Sequence, residues 1–347
     1  MRIDIARNQL SRLLAQVSKV VEARNTIPVL SCVLLESSGG KLTATGSDLD
    51  IEITGSIEVE GDDWSGCVSA NLLKGIVDKL SGDTVTIEPG ATEIVVKAGR
   101  SRFKLAVQTA ADFPRLAAND MPEPFELDLA SIVAPCLFAM SEEETRFYLC
   151  GVFLEAGKAT ATDGHRLAHV ERGAWGEHPN VILPRKLVGM LPKGALRVSV
   201  TENKVRVEND DVTITSKLID GTYPDYRRVI PAQAANAIRV DNAALRAAVE
   251  RVALVASARG HGVRLSIAGD TIELHLRGSD GEAEDGVPCG YSGEPVEVGF
   301  NSKYLADLLA NMPAGEAVFY IADGGSPMRV ESAADDGCCF VLMPMRV

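Results

Sequence analysis

The chain has 347 residues, of which 46% are hydrophobic and 24% are charged, and these fractions are typical of an ordinary globular protein. Its formal net charge of −13 excludes a protein covered on all sides by basic surface, although a single basic face would still bind nucleic acid. No apolar run reaches the roughly 18 residues of a membrane-spanning helix, and the N-terminal segment lacks the apolar core of a signal peptide, so we expect a cytoplasmic protein.

The same succession of predicted elements occurs three times along the chain. Each copy opens with an apolar–acid–apolar strand at Asp4, Asp128 or Asp241, which gives a period of about 115–125 residues, too long for a solenoid. Apolar residues at helical spacing then predict a first and a second helix in each copy. These helices are predicted at residues 8–21, 71–80, 130–140, 185–191, 243–255 and 302–309.

Between the helices, short segments alternate apolar and polar residues and are separated by turn residues. This pattern predicts antiparallel strands whose sheets are covered on one face. Two helices and several strands per copy indicate an α+β fold, with the helices of each domain packed on antiparallel sheets. Breaks rich in proline and alanine, at 112–124 and 231–236, predict three domains at residues 1–118, 119–235 and 236–347.

The chain has seven cysteines, and no two of them form a Cys-x-x-Cys pair. An odd number without the spacing of metal ligands argues against a disulfide framework or a metal site, and we expect buried, reduced thiols. Cys338 and Cys339 are neighbours in a strand-like segment, so their side chains should point to opposite faces of a sheet. The sequence predicts neither a cofactor nor a metal.

The segment 161–168, Ala-Thr-Asp-Gly-His-Arg-Leu-Ala, predicts a strand, an Asp-Gly turn and a second strand. Asp163 and His165 admit a second interpretation, as an acid–base pair in an enzyme. No serine or cysteine nucleophile motif accompanies them, and Asp-Gly is foremost a turn sequence, so we favour the turn.

Basic residues are concentrated on the predicted helices and at their ends, whereas acidic residues cluster in strands and loops such as 58–63 and 280–285. One interpretation is a protein with a basic helical surface and an acidic surface elsewhere. The alternative is that each lysine or arginine is merely a solvated helix residue, and the sequence leaves both open.

Motifs spread over the whole chain resemble those of one family. They lie at residues 26–30 (Thr-Ile-Pro-Val-Leu), 99–103, 111–114 (Ala-Asp-Phe-Pro), 161–168, 223–231 and 341–347. In this combination and order, the chain resembles the bacterial sliding clamp, the beta subunit of DNA polymerase III, which has three domains. The resemblance implies a non-catalytic processivity factor: a head-to-tail homodimer whose six like domains form a ring around duplex DNA, with helices lining the hole and sheets outside.

The resemblance also implies how the ring would close and hold DNA. Interface positions of the family fall on Phe103, Leu254 and Val255. Contacts with DNA would be electrostatic and independent of base sequence, since no groove-reading motif is visible. The basic residues expected to make these contacts are Arg24, Arg100 and Lys193, supported by Arg12, Lys19, Lys74 and Arg246.

The family is expected to bind replicative and repair polymerases and the clamp loader through short hydrophobic peptides that contain glutamine. Carried over position by position, the pocket comprises Leu149, Thr162, Gly164, His165, Arg166, Leu167, Pro224, Arg228 and Val229, with the tail residues Val341, Leu342, Met343, Pro344, Met345 and Arg346. Leucine, valine and methionine side chains suit a surface that accepts several partners. The alternative for the tail is a final core strand, against which its proline argues.

Departures from the family keep other functions open. The chain is shorter than the usual members, ends in Val347 where leucine is common, has Asn25 where proline often stands, and is notably acidic near 280–285. One alternative is therefore a secondary, phage or plasmid clamp-like adaptor that binds peptides without serving the main replicase. Another is a three-domain adaptor that encircles nothing, which ring formation would discriminate from a clamp.

Overall fold

The computed structural model describes residues 1–23, 25–116, 120–173, 175–176, 178–256 and 261–347. The chain divides into two compact units. Unit 1 comprises Met1–Leu127 and Gly194–Leu218, and unit 2 comprises Asp128–Lys193 and Ile219–Val347. Each unit is built on antiparallel strands with short helices, which confirms the predicted α+β class. Among the described residues, no helix has the length and apolar character needed to cross a membrane.

Unit 1 contains a thirteen-stranded sheet and two α-helices. Numbered in chain order, its strands are β1 (Ile3–Ala6), β2 (Cys32–Ser38), β3 (Lys41–Ser47), β4 (Ile51–Glu58), β5 (Glu60–Gly61), β6 (Trp64–Ser69), β7 (Thr84–Pro89), β8 (Glu93–Ala98), β9 (Ser101–Gln108), β10 (Phe125–Leu127), β15 (Leu196–Val200), β16 (Lys204–Glu208) and β17 (Val212–Lys217). Its helices are α1 (Arg7–Val17) and α2 (Ala70–Lys79), and 3₁₀ segments lie at Pro28–Ser31 and Ala110–Asp112.

The strands of unit 1 follow the order β10-β15-β16-β17-β4-β3-β2-β6-β9-β8-β7-β1-β5. Pairing of β17 with β4 joins the last strands of the second predicted repeat to the first repeat. Helix α1 packs against β4 and α2, and its buried face includes Leu10, Leu13 and Leu14.

Unit 2 contains a twelve-stranded sheet and four α-helices. Its strands are β11 (Gly151–Glu155), β12 (Lys158–Thr162), β13 (Arg166–Glu171), β14 (Val181–Pro184), β18 (Ala237–Asp241), β19 (Gly262–Ala268), β20 (Thr271–Arg277), β21 (Glu282–Gly290), β22 (Val296–Asn301), β23 (Glu316–Tyr320), β24 (Met328–Ser332) and β25 (Asp335–Leu342). Its helices are α3 (Leu129–Val133), α4 (Arg185–Val188), α5 (Asn242–Val252) and α6 (Ser302–Ala310), with 3₁₀ segments at Ala134–Ala139, Glu144–Leu149, Tyr226–Val229 and Ala253–Val255.

The strands of unit 2 follow the order β14-β11-β12-β13-β25-β24-β23-β18-β21-β20-β19-β22. Pairing of β13 with β25 joins the second predicted repeat to the third. Helix α5 packs against α6 and β21, with Leu245, Val249 and Val252 on its buried face. The second predicted repeat is therefore divided between the units: β11 to β14 lie in unit 2, whereas β10 and β15 to β17 lie in unit 1.

All six predicted helices are present, but four of them end three or more residues early. The helix predicted at 243–255 is α-helical to Val252 and continues as a 3₁₀ segment to Val255. The helix predicted at 130–140 is α-helical only to Val133 and continues as a 3₁₀ segment, because Pro135 has no N–H to donate and its ring clashes with the preceding turn. The helix predicted at 185–191 ends at Val188, where Gly189, a poor helix former, follows. The helix predicted at 8–21 ends at Val17.

The acids that open the three copies have different roles. Asp128 and Asp241 are N-caps: each side chain accepts a hydrogen bond from a backbone N–H in the first turn of α3 or α5, at 3.2 and 2.7 Å. Asp4 instead lies inside β1, where its carboxylate accepts a hydrogen bond from the hydroxyl of Thr86 at 2.6 Å. The first acid is therefore not structurally equivalent to the other two.

The cysteines are free thiols, and five of the seven are buried. Cys338 and Cys339 lie side by side in β25, opposite Val170 and His169 of β13, and so point to opposite faces of the sheet as predicted. Burial raises the pKa of Cys339 to about 11, so this thiol stays protonated near neutral pH. Cys150 and Cys289 are half-buried.

Candidate functional site

The segment between β12 and β13 forms the turn that the sequence predicts. Gly164 has a positive φ of 90°, and Asp163 Oδ1 accepts hydrogen bonds from the backbone N–H groups of His165 (2.8 Å) and Arg166 (3.0 Å). The second oxygen of Asp163 accepts from Arg166 Nε at 3.1 Å, and the His165 ring lies 5.9 Å from the ring of Tyr304. With both carboxylate oxygens engaged inside the turn, this geometry favours a turn over an acid–base pair.

A buried apolar cluster lies beside this turn in unit 2. It consists of Leu149, Leu167, Ile182, Tyr223, Tyr226 and Val341. Leu167 is the register partner of Val341 across β13 and β25, and of Thr162 across β12 and β13. Leu149 ends the 3₁₀ segment before β11. Three predicted pocket residues from distant parts of the chain, Leu149, Leu167 and Val341, are thereby brought together.

Exposed apolar residues surround the buried cluster. Val229 is 49% exposed and ends the 3₁₀ segment in which Tyr226 belongs to the cluster. Met343 is 40% exposed, and its backbone N–H donates to the carbonyl oxygen of His165 at 2.9 Å. Arg228 is exposed in the same 3₁₀ segment as Val229, and Pro224 is exposed just before it. A buried apolar floor with an exposed apolar rim is the arrangement expected of a peptide-docking surface.

Besides the three residues of the buried cluster, two further predicted pocket residues are largely removed from the surface. Leu342 is 0% exposed and points to the opposite face of β25 from Val341, so it supports the pocket from behind. The Arg166 side chain is only 12% exposed, and its guanidinium is bonded to Asp163 and Asp307.

The C-terminal tail combines both interpretations offered by the sequence. Val341 and Leu342 end β25 as core residues, whereas the residues that follow leave the strand at Met343 and Pro344. The backbone N–H of Met345 donates to the carbonyl of Gly299 in β22 at 2.9 Å. The tail is therefore a core strand up to Leu342 and a surface segment along β22 after it.

Sequence reasoning missed several residues at this site. Tyr148 packs against the cluster, and Phe147 beside it is 51% exposed. A guanidinium nitrogen of Arg146 lies 3.4 Å from the position that a Cβ on Gly164 would occupy. The signal was present in the sequence as the Arg-Phe-Tyr run directly before Leu149, an aromatic pair next to a predicted pocket residue.

The largely buried carboxylate of Glu155 fixes the 3₁₀ segment that carries Arg228 and Val229. The Tyr226 hydroxyl donates to Glu155 Oε1 at 2.6 Å, and Arg227 forms an ion pair with the same carboxylate. Burial, together with this hydrogen bond to Glu155, raises the pKa of Tyr226 to about 12. The hydroxyl thus remains a donor at physiological pH and holds the 3₁₀ segment on the sheet.

The residues predicted to contact DNA have different charge environments. Arg24 lies outside the described residues. Arg100, Lys193 and Lys19 are exposed, and none of them forms an ion pair with a carboxylate of the described chain. Their full charges therefore face solvent, as a phosphate-binding surface requires.

The other three predicted cations are paired with carboxylates. The pairs are Arg12–Asp211, Lys74–Asp78 (2.8 Å) and Arg246–Glu250 (2.8 Å). Lys74 and Arg246 use the i,i+4 spacing of neighbouring residues on one helix face. These three cations would lose part of an existing interaction on binding phosphate, so they are weaker candidates than Arg100 or Lys193.

The predicted interface residues are exposed apolar side chains. Phe103 in β9 is 39% exposed, Leu254 is 84% exposed, and Val255 is half-buried. Residues 101–106 of β9 pair with β8 alone, and residues 282–288 of β21 pair with β20 alone, so within the described chain each segment has one open edge. The first segment carries exposed basic side chains and the second exposed acidic ones. These are Arg102, Lys104, Glu282 and Glu284.

One group of side chains in the described residues has the composition of a metal site. His275, Glu282 and Glu284 each place one ligand atom within 4.8 Å of the others on the β20–β21 hairpin. The glutamates are 55% and 80% exposed, and His275 Nε2 already pairs with Glu282. An exposed hydrogen bond between His275 and Glu282 accounts for this group.

Models of the three domains of the DNA polymerase III beta subunit match the chain in order. The N-terminal domain model matches residues 1–117, the central domain model residues 126–225 and the C-terminal domain model residues 227–346.

Individual relatives are similar over the full length. The beta sliding clamp of Caulobacter vibrioides (strain NA1000 / CB15N) is 38% identical over 376 residues and that of Escherichia coli K12 is 31% identical over 369, with 100% of both chains covered in each case. The structure of a DnaN sliding clamp from Bartonella birtlesii bound to griselimycin has a TM-score of 0.95 at 34% identity, and Caulobacter crescentus pol III beta has 0.91 at 37%. Both alignments cover 100% of each chain.

Proposed function

The chain belongs to the family of DNA polymerase III beta subunits, the bacterial beta sliding clamps, and on that premise we propose that it forms a homodimeric ring around duplex DNA. Family membership confirms the resemblance drawn from the sequence motifs and makes the chain a sliding clamp of DNA replication. The proposed ring is a processivity factor that tethers a polymerase and supplies no reacting group of its own. The relatives found are bacterial beta sliding clamps, which favours a replicative clamp over a secondary, phage or plasmid adaptor.

The ring would contain six domains, three from each copy, with the boundaries predicted at 1–118, 119–235 and 236–347. Two helices from each domain would line the hole. The composition of α1 supports this orientation: it carries Arg7 and Arg12 and no acidic residue. A DNA phosphate in the hole would therefore be attracted to this helix. The exposed charges Arg100, Lys193 and Lys19 would add to this attraction without reading base sequence.

The observation that carries the ring proposal is the exposure of Leu254 next to an open strand edge. The 3₁₀ segment Ala253–Val255 packs against β21, whose residues 282–288 have an unpaired edge among the described strands. Leu254 is 84% exposed, and covering it with another chain would gain the free energy of burying a leucine. An open strand edge is also a template for pairing with another chain. We infer that the partner is the β9 segment of a second copy.

Charge supports this choice of partner. The β9 segment carries Arg102 and Lys104 beside the apolar Phe103, while the β21 segment carries Glu282 and Glu284. Contact between unlike edges would bring opposite charges together, whereas two β9 edges or two β21 edges would repel. The contact is thus heterologous, and it closes once two copies have joined head to tail.

The buried cluster with its exposed rim would bind partner peptides. Leu149, Leu167 and Val341 form an apolar floor, and Val229 and Met343 offer uncovered surface to hydrophobic residues of a peptide from a polymerase or the clamp loader. Met343 suits a surface that accepts several partners, because methionine is flexible and polarizable. Tethering through such a peptide raises the effective concentration of a polymerase at its primer end far above its bulk concentration.

Retention on closed DNA tests the whole proposal. The protein, loaded onto a nicked circular plasmid with a clamp loader and ATP, should elute with the plasmid in gel filtration, and cutting the plasmid once should release it. A protein that binds a polymerase-derived peptide but is never retained on circles would be an adaptor that encircles nothing. A sedimentation experiment that finds only monomer at micromolar concentration would lead to the same conclusion.

A further inference from the structure

The Arg166 guanidinium is a largely buried cation that links two elements of unit 2. Its Nη1 donates to Asp307 Oδ2 of α6 at 2.7 Å, and its Nε donates to Asp163 Oδ2 at 3.1 Å. The guanidinium carbon lies 4.4 Å from the centre of the Tyr304 ring, also on α6, and 5.4 Å from that of Phe138. Arg166 thereby ties the start of β13 to one face of α6.

Because the Arg166 guanidinium is largely removed from water, its charge must be balanced by neighbouring carboxylates. The Arg166 side chain is 12% exposed, and an uncompensated charge at such a site is strongly destabilising. Asp163 supplies one carboxylate, but it also accepts two backbone N–H groups of its own turn. Asp307 is therefore the one carboxylate that connects the guanidinium to α6 rather than to the turn itself.

The start of β13 is also the part of the strand that shapes the peptide pocket. Arg166 directly precedes Leu167 of the buried cluster. The carbonyl of His165 accepts the backbone N–H of Met343 at 2.9 Å, and the His165 ring lies against Tyr304. Any shift of the guanidinium relative to α6 would therefore move a floor residue and the attachment point of the tail together.

We propose that Asp307 is a positioning residue of the peptide pocket, which acts through the buried guanidinium of Arg166 and touches no peptide itself. This inference rests on the proposed peptide binding and assigns a role to a helix residue outside the predicted pocket. Asp307 sets where β13 stands against α6, and with it the relative positions of Leu167 and Met343. Loss of its charge would leave every pocket residue unchanged in identity but would shift their positions relative to one another.

The test measures peptide affinity by fluorescence anisotropy in the full-length protein. The probe is a fluorescein-labelled synthetic peptide with one glutamine followed by leucine and phenylalanine. Asp307→Asn should weaken binding about five- to tenfold, because the amide removes the charge that pairs with the guanidinium but keeps an oxygen that accepts its hydrogen bond. Asp307→Glu, which restores the carboxylate, should recover most of the affinity. The control is Lys303→Ala, an exposed position on the same helix, which should bind like the wild type.

A double-mutant cycle separates positioning from general loss of structure. If Asp307 acts through Arg166, Asp307→Asn should cost little further affinity in a protein that already carries Arg166→Lys. Wild-type affinity in Asp307→Asn, additive losses in the cycle, or an equal loss in Lys303→Ala would each overturn the inference. If the wild type itself does not bind the probe, the proposed peptide function fails, and this inference fails with it.

Discussion

Two apolar regions of unit 2 differ in how much of their surface the chain covers by itself. Leu167 and Val341 are each 2% exposed and are enclosed by residues from three distant segments, whereas Leu254 at the end of α5 is 84% exposed. The proposed peptide pocket is thus built from residues of one chain, and only its rim is exposed. The Leu254 region presents an apolar side chain and an open strand edge together, and a second copy would complete both.

The largest expected effect is on the Leu254 region. Leu254→Ala with Val255→Ala should raise the dimer dissociation constant roughly 100-fold, or about 2.7 kcal/mol, because truncation of central apolar residues carries the largest cost at an interface. The measurement is analytical ultracentrifugation at sub-micromolar concentration. Leu72→Ala is the matched control, because Leu72 is also an exposed leucine and lies on α2. If the double variant dimerises as tightly as the wild type, the Leu254 region is not the dimer interface.

The next largest effect is on the pocket. Deletion of residues 343–347 should weaken peptide binding roughly 30-fold, or about 2 kcal/mol, because the exposed rim loses Met343 and Met345. Dimerisation and retention on circular DNA should be unchanged. Conversely, the Leu254→Ala, Val255→Ala variant should bind the peptide normally in anisotropy. If truncated and intact proteins bind equally well, the tail has no part in the pocket.

These expectations depend on features that the sequence reveals to different degrees. The three repeats, their strands and their helix starts could be predicted because they follow from local periodicity. The end of α3 could also have been placed, since Pro135 is visible in the sequence. The pairings of β17 with β4 and of β13 with β25 could not, because they join strands of different repeats and have no local signature.

The proposed peptide pocket also has features that the sequence predicts and features that it does not. Its apolar members followed from the family resemblance, and Leu149, Leu167 and Val341 do meet. Burial was the part that could not be predicted, because a strand residue such as Leu342 faces one side or the other according to register. Arg166 and Asp307 lie in different repeats, so no local sequence pattern predicts their ion pair.

A smaller effect should separate DNA binding from both apolar regions. Lys193→Ala should reduce the slope of log affinity against log salt concentration by about one unit, as expected for one lost phosphate contact. Arg246→Ala should change the slope less, because Arg246 already pairs with Glu250 at 2.8 Å. Filter binding on duplex DNA across a salt series measures both. Equal slopes in Lys193→Ala and the wild type would remove Lys193 from the DNA surface.

The smallest effect concerns pH and the sheet beside the pocket. Burial lowers the pKa of His169, which lies two residues beyond Leu167 in β13, although Glu171 partly opposes the shift. The unfolded chain therefore takes up a proton on this side chain at a higher pH than the folded chain, so stability is lost as pH falls below about 6.5. The melting temperature of His169→Gln should decline less steeply than that of the wild type between about pH 7 and 5.5. Parallel curves would contradict this assignment.

The C-terminal tail packs closely over two glycines that lie outside the predicted pocket. Val347 and Met345 lie over glycines of β19 and β22, and a Cβ on Gly299 would stand 2.6 Å from a methyl carbon of Val347. A Cβ on Gly262 would meet the other methyl of Val347 at the same distance. Any side chain at either glycine would therefore displace the tail, although neither glycine belongs to the predicted pocket. Gly299→Ala should therefore weaken binding to the proposed peptide pocket by moving the last three residues, although it changes no predicted pocket residue.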